Sequence, residues 1–209
     1  NSEPPRALRI AWSPRLGCDF AIDDDVLAAL VLRVDVLRAA GWSVVEADPD
    51  WGEAVRAYPL NALQHAGLHA LHGEQLETRR EDIDPNLAAQ MDAGAAITAT
   101  ALAGALRSRE AIVASLVRFF GQYDLLICPA APVTAWPLGQ IGPAVIGGQA
   151  AGPRGHAAFT PWFNLCGVPA CSVPAGQVRG LPVGLQIVAP RFEDARVLQM
   201  AAQLERLAP

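Results

Sequence analysis

From Val183 to Val188 the chain reads Val-Gly-Leu-Gln-Ile-Val, mostly apolar at both alternating sets of positions. That pattern predicts a strand inside a sheet rather than one arm of a half-solvated hairpin. A second apolar run lies just upstream. Ala170–Pro174 and Pro182–Val188 are predicted to pair as a hairpin, with Gly176 to Gly180 bracketing the turn. Before them, Phe159 onward reads as a short helix closed by a tight Gly-Val-Pro link. An isolated hairpin does not persist in water, so a larger sheet and covering helices are expected.

The rest of the pattern supplies them. Leu8–Trp12 reads as a strand ended by Pro14 and Gly17. Asp23-Asp24-Asp25 then precedes the periodic apolar run Val26–Ala40, and aspartates at a helix start bind free N–H groups and favour the helix dipole. Gly41 ends that helix and Trp42–Ala47 forms a second strand, so residues 1–50 read as a βαβ unit with parallel strands. Residues 51–122 read as helical: Trp51–Glu77 interrupted by Pro59, a charged link over Glu77–Asp84, a short helix from Pro85 to Met91, and the longest helix at Ala95–Gln122. Gly94 and Gly104 either admit a close helix neighbour or are simply tolerated. Residues 123–209 carry the strand Tyr123–Cys128, a Pro/Gly-rich loop from Pro129 to Gly155, the hairpin, and an amphipathic helix over Glu193–Leu207. A loop that long points to function or disorder.

Composition narrows the function classes. The chain has 209 residues, enough for one domain with a core, and 52% of them are hydrophobic. Its net charge of -5 and lack of a basic run argue against nucleic acid. No uninterrupted apolar stretch suits a bilayer, and no secretory pattern marks the N-terminus, so a cytoplasmic protein is expected. The chain does not begin with methionine, and it is expected to start inside a gene product or after processing.

Candidate chemistry is sparse. His65, His69 and His72 share one helix face, but a single helix rarely supplies a tetrahedral metal set and no His-Glu-x-x-His stands there, so packed histidines are expected and no metal. Cys18, Cys128, Cys166 and Cys171 are read as reduced thiols, with a Cys166–Cys171 bridge the alternative. Gly147-Gly148 lacks the Lys and the helix of a phosphate loop. No cofactor is implied.

Two stretches resemble amidase-signature enzymes. One is Asn-Leu-x-Gly-x-Pro-Ala-x-Ser-Val-Pro-x-Gly at Asn164–Gly176, followed by Gly-Leu-Pro-Val-Gly-Leu-Gln-Ile-Val at Gly180–Val188. The other is Tyr123-Asp124-Leu125-Leu126-Ile127-Cys128-Pro129-Ala130-Ala131-Pro132, where the family more often has Thr at the place of Ala130. Arg6–Gly17 and the Asp-rich helix start resemble the segment after the family's catalytic core. The resemblance implies an α/β fold, with a mixed β-sheet flanked by helices as part of an α/β/α sandwich.

It also implies a reaction. The family cleaves carboxamides with a serine nucleophile, a second serine on a cis peptide that relays the proton, and a lysine base. A serine hydroxyl needs such a base, and desolvation keeps a buried lysine neutral enough to serve. This chain contains no lysine, its sixteen basic residues all being arginine, and none of its six serines adjoins another. No catalytic residue is therefore assigned, and the isolated chain is expected to be inactive. It is similar to the C-terminal half of such an enzyme, whose partners would be the missing N-terminal half and a small amide substrate. Exposed sheet edges or apolar faces would then drive self-association. The resemblance places Pro129, Ala130, Ala131, Pro132, Phe159, Thr160, Phe163 and Asn164 near the acyl pocket, with core packing the competing role. Asn164 alternatively caps the Gly167 turn through its side chain. The family's transfer-RNA amidotransferase branch tends to carry an acid where this chain has Ala157, which favours an apolar or aromatic amide. Two other readings stay open: a stand-alone non-catalytic α/β binding or scaffolding module, and a small hydrolase using His156 with a serine or cysteine. Ser172, mid-strand, is read as structural.

Overall fold

The computed structural model describes residues 7–55, 59–152 and 154–207. Arg6, part of Trp51–Glu77 and the last two residues lie outside them. The chain divides into two units, one drawn from Asn1–Asp50 and Leu116–Pro209, the other from Trp51–Ser115.

The first unit is built on a five-stranded sheet in the order β2-β1-β3-β7-β6. These strands are β1 (Ile10–Trp12), β2 (Val44–Glu46), β3 (Leu125–Pro129), β6 (Ala170–Val178) and β7 (Leu181–Val188). β1 runs parallel to both β2 and β3, while β7 is antiparallel to β3 and to β6. The sheet is therefore mixed, as the βαβ pattern and the hairpin together require.

The two-faced apolar run in β7 has a direct cause. Leu125, Ile127, Leu185, Ile187 and Val173 join a buried cluster with residues of α1 (Asp24–Ala39) and α6 (Asp194–Arg206). Their alternating neighbours Leu126, Cys128, Gln186 and Val188 point to the other face and are buried as well.

Helix ends follow local chemistry. Gly41 has φ 89, its N–H donates to the Arg38 carbonyl and that of Trp42 to the Leu37 carbonyl, so α1 closes in a Schellman turn. The same arrangement ends α5 (Pro161–Cys166). Gly167 has φ 64 and donates to the Asn164 carbonyl, and Val168 donates to that of Phe163. The Asn164 side chain makes no such cap: the backbone alone closes the turn, and Asn164 is exposed.

Three other expectations change. The hairpin turn is tighter than the Gly176–Gly180 bracket. β6 continues to Val178, Arg179 and Gly180 (φ 51 and 79) make a two-residue turn, and an irregularity between Pro174 and Gln177 absorbs Gly176. The Pro129–Gly155 loop carries a small hairpin of its own, β4 (Val145–Ile146) with β5 (Gln149–Ala150), turning on Gly147 and Gly148. Asp23 occupies the N-cap position of α1 without a side-chain cap bond, because its carboxylate is used elsewhere.

The second unit contains α2 (Leu60–Thr78), α3 (Pro85–Ala95) and most of α4 (Ala99–Phe120). Asp84 caps α3 by accepting from the N–H groups of Asn86 and Leu87, with Pro85 at the first helical position. α2 and α3 share a small core of Leu76, Ala88 and Met91, flanked by Leu68 and Ile83. A methyl group on Gly94 would sit 2.1 Å from the His65 carbonyl oxygen, so Gly94 is the close-approach glycine. Gly104 has nothing within 4 Å of such a group and is simply tolerated. No helix of the described residues is long and apolar enough to cross a membrane.

Candidate active-site wall

β1 and β3 are parallel neighbours, so both deliver their following loops to the same end of the sheet. Ligands of open α/β sheets gather at that carboxyl end. There the Asp23 N–H donates to the Pro132 carbonyl (2.9 Å) and the Asp23 carboxylate accepts from the Gly147 N–H (2.7 Å). A Cβ on Gly147 would lie 2.8 Å from the Ile22 carbonyl oxygen, so only glycine lets the loop's small hairpin seat there.

The same β1–α1 loop reaches the second group of candidates. The Phe20 ring meets Phe159 edge-on with centroids 5.5 Å apart and stacks on Trp162 at 6.3 Å. Trp162 is further held by its indole N–H, which donates to the Ala158 carbonyl at 2.8 Å. Residues 13–23 thus join Pro132 on one side to Phe159 on the other. Neither Phe20 nor Asp23 stood among the sequence candidates, although an aromatic residue in the loop leaving β1 was a readable signal.

The candidates themselves differ in exposure. Pro129, Pro132, Phe159 and Phe163 are buried, Ala130, Ala131 and Thr160 half-buried, and Asn164 exposed. Ala130 continues the sheet pairing by donating its N–H to the Gly184 carbonyl at 2.9 Å. A Cβ on Gly184 would stand 3.1 Å from Ala130 Cβ and 2.7 Å from Ser172 Oγ. The absent side chain at Gly184 therefore lets the proline turn and Ser172 approach across the sheet.

Cys128 and Cys18 are not activated thiols. Burial pushes the Cys128 thiol up to about 12, despite a hydrogen bond from the Gln186 amide to its sulfur at 3.3 Å. Burial, with the charges of Asp48 and Asp19 adding to it, pushes Cys18 up to about 11. A reactive cysteine needs the opposite shift. No disulfide joins Cys166 and Cys171. His156 packs against Trp136 with ring centroids 4.8 Å apart. Its Nδ1 is buried without a hydrogen-bond partner, and no hydrogen bond joins it to a serine or cysteine among the described residues. His65, His69 and His72 form no metal-binding group with other ligands among the described residues.

The strand order and the helices around it define an α/β protein built on a mixed β-sheet. The chain belongs to the amidase family, whose model matches residues 1–198. It is 30% identical over 206 residues to an acylamidase of Rhodococcus erythropolis, covering 98% of this chain and 43% of that protein. It is 32% identical over 209 residues to one polypeptide of the glutamyl-tRNA(Gln) amidotransferase of Deinococcus radiodurans, covering 86% of this chain and 42% of that one. A crystal structure of an amidase superposes with a TM-score of 0.86 at 27% identity, over 96% of this chain and 46% of the other. The chain thus spans less than half the length of each.

Proposed function

We propose that this chain supplies sheet, core and one wall of the acyl pocket to an amidase that hydrolyses carboxamides to carboxylate and ammonia. In this reading the serine nucleophile, the cis-peptide serine and the lysine base lie upstream of Asn1, and the 209 residues alone are inactive. The observation that carries it is one of content. The family match runs through residues 1–198, yet the chain holds no lysine and no adjacent serines.

The wall would be formed by Pro129–Pro132 and by Phe159, Thr160, Phe163 and Asn164, with Phe20 and Asp23 holding the two groups together. The half-buried Ala130, Ala131 and Thr160 would face the acyl group, while the buried Phe159 and Phe163 set the position of α5 behind them. Residues 1–50 and 123–209 would carry this wall, and 51–122 would form a separate helical region. Ala157 and the rings of Phe20, Phe159 and Trp162 favour an apolar or aromatic acyl group over glutamine.

β6 ends the sheet, and its Ala170 and Ser172 are exposed. An unpaired edge of this length recruits further chain. The upstream half of the enzyme would be its natural partner, and the isolated chain would self-associate.

The test is ammonia release from a panel of aliphatic and aromatic carboxamides. The native polypeptide containing Phe159–Val188 is expected to be active and the 209-residue chain inactive. Activity in the isolated chain, or a native product of only this length with none, would overturn the proposal.

A further inference from the structure

A cleft of about 450 Å³ opens between α1 and the β6–β7 hairpin, within the first unit. Such a volume falls in the range of small-ligand sites. Ala29, Leu32, Arg33 and Val36 lie three and four residues apart, so one face of α1 forms one wall. Pro174 and Pro182 of the hairpin contribute to the other. The side chains there are largely apolar, and Leu32 is 68% exposed, unusually high for a leucine beside a core helix.

Two polar side chains interrupt that lining, Gln177 and the single charged one, Arg33. Arg33 is only 5% exposed. One terminal nitrogen donates to the Leu207 carbonyl at 2.9 Å and the other to the Leu204 carbonyl, both at the end of α6. These partners are neutral; among the described residues no carboxylate pairs with the guanidinium and Nε has no hydrogen-bond partner. Burial lowers the Arg33 pKa from its ordinary value, the direction expected of a cation without a counter-charge. A buried charge is normally paired, and a buried donor normally has an acceptor. The carbonyls at the end of α6 offset part of the cost, but one donor and a full charge remain.

We propose that this cleft binds a small amphiphilic carboxylate, its apolar tail along Leu32 and the two prolines and its carboxylate paired with Arg33. The tail covers exposed apolar surface and the head supplies the missing negative charge and acceptor. Arg33 Nε is sealed from solvent in the free protein, so binding includes a local shift of the side chains over it. The site does not rest on amide hydrolysis, and its lining from α1 and the hairpin includes none of Pro129–Pro132.

Octanoate is a suitable probe and octan-1-ol its uncharged counterpart, both titrated calorimetrically into the purified protein. Octanoate is expected to bind, and the alcohol to bind at least about tenfold more weakly, since a charge-assisted hydrogen bond is lost. Ala29→Trp fills the cleft without touching the Arg33 hydrogen bonds and should abolish octanoate binding. Arg33→Met should remove the preference for octanoate over the alcohol; if that variant does not fold, Ala29→Trp decides. No octanoate binding, equal binding of acid and alcohol, or unchanged binding in Ala29→Trp would each overturn the proposal.

Discussion

Asp25 and Arg179, 154 residues apart in the chain, meet in a forked ion pair: one carboxylate oxygen accepts from Nε at 3.0 Å and from Nη2 at 2.5 Å. The pair ties the tip of the β6–β7 hairpin to the first turn of α1. Arg179 itself stands in a left-handed conformation (φ 51) that favours glycine or asparagine. Both side chains are well exposed, so the pair itself is worth less than about 1 kcal/mol. Asp25→Asn should therefore cost less than about 1 kcal/mol in denaturant unfolding, and high salt should erase the difference. Arg179→Asn should be near neutral, because relief of the backbone offsets the lost pair. Gly180→Val has no such compensation at φ 79 and should cost about 1–2 kcal/mol.

Gly184 offers a sharper test of the candidate wall. A methyl group there would meet Ser172 Oγ at 2.7 Å and Ala130 Cβ at 3.1 Å. Gly184→Ala should destabilise by about 1–3 kcal/mol, the usual cost of overpacking. Adding Ser172→Ala removes the nearer clash and should recover part of that loss. A double-mutant cycle reads the coupling, and strict additivity would show that Ser172 is not the obstacle.

The helical unit has its own contact of this kind. At Gly94 the obstruction is backbone: a methyl carbon there would stand 2.1 Å from the His65 carbonyl oxygen and 2.6 Å from its carbon. No side-chain rotation relieves that. Gly94→Ala should force α2 and α3 apart and cost about 3 kcal/mol, at the upper end for added volume. Gly104→Ala meets nothing and should instead stabilise α4 by about 0.5–1 kcal/mol. The opposite signs of these two substitutions make the comparison decisive, by thermal or denaturant unfolding.

How far the sequence foretold all this depended on the range of the interaction. Gly41 and Gly167 stop their helices by local geometry, and both stops were legible. So were the two strands of the hairpin, because burial on both faces writes itself into consecutive residues of β7. The turn was misjudged because a bulge at Pro174–Gln177 and a two-residue turn at Arg179–Gly180 leave the same glycines as one longer loop. Asp23 was read as a cap from its position, yet its carboxylate goes to Gly147, a partner no local pattern reveals. The aromatic contact of Phe20 with Phe159 and Trp162 was missed for the same reason. The lack of lysine and of paired serines, by contrast, needed no structure at all.

Cys128 permits a prediction in pH. Its thiol is fully buried and pushed from an ordinary 9.0 up to about 12. The raised value means that the folded protein holds this proton more tightly than the unfolded chain. Its contribution to stability is thus complete below about pH 9 and is lost as pH rises towards 12. Within that window the loss should approach about 1.4 kcal/mol per pH unit for one thiol. Cys128→Ala removes the ionisation and should flatten the stability curve above pH 9, whatever it costs at neutral pH through lost packing. Iodoacetamide, which needs a thiolate, should leave Cys128 unlabelled at pH 8 unless denaturant is added. Rapid labelling of the native protein at pH 8 would show that the sheet face carrying Cys128, Gln186 and Leu126 opens far more readily than its burial implies.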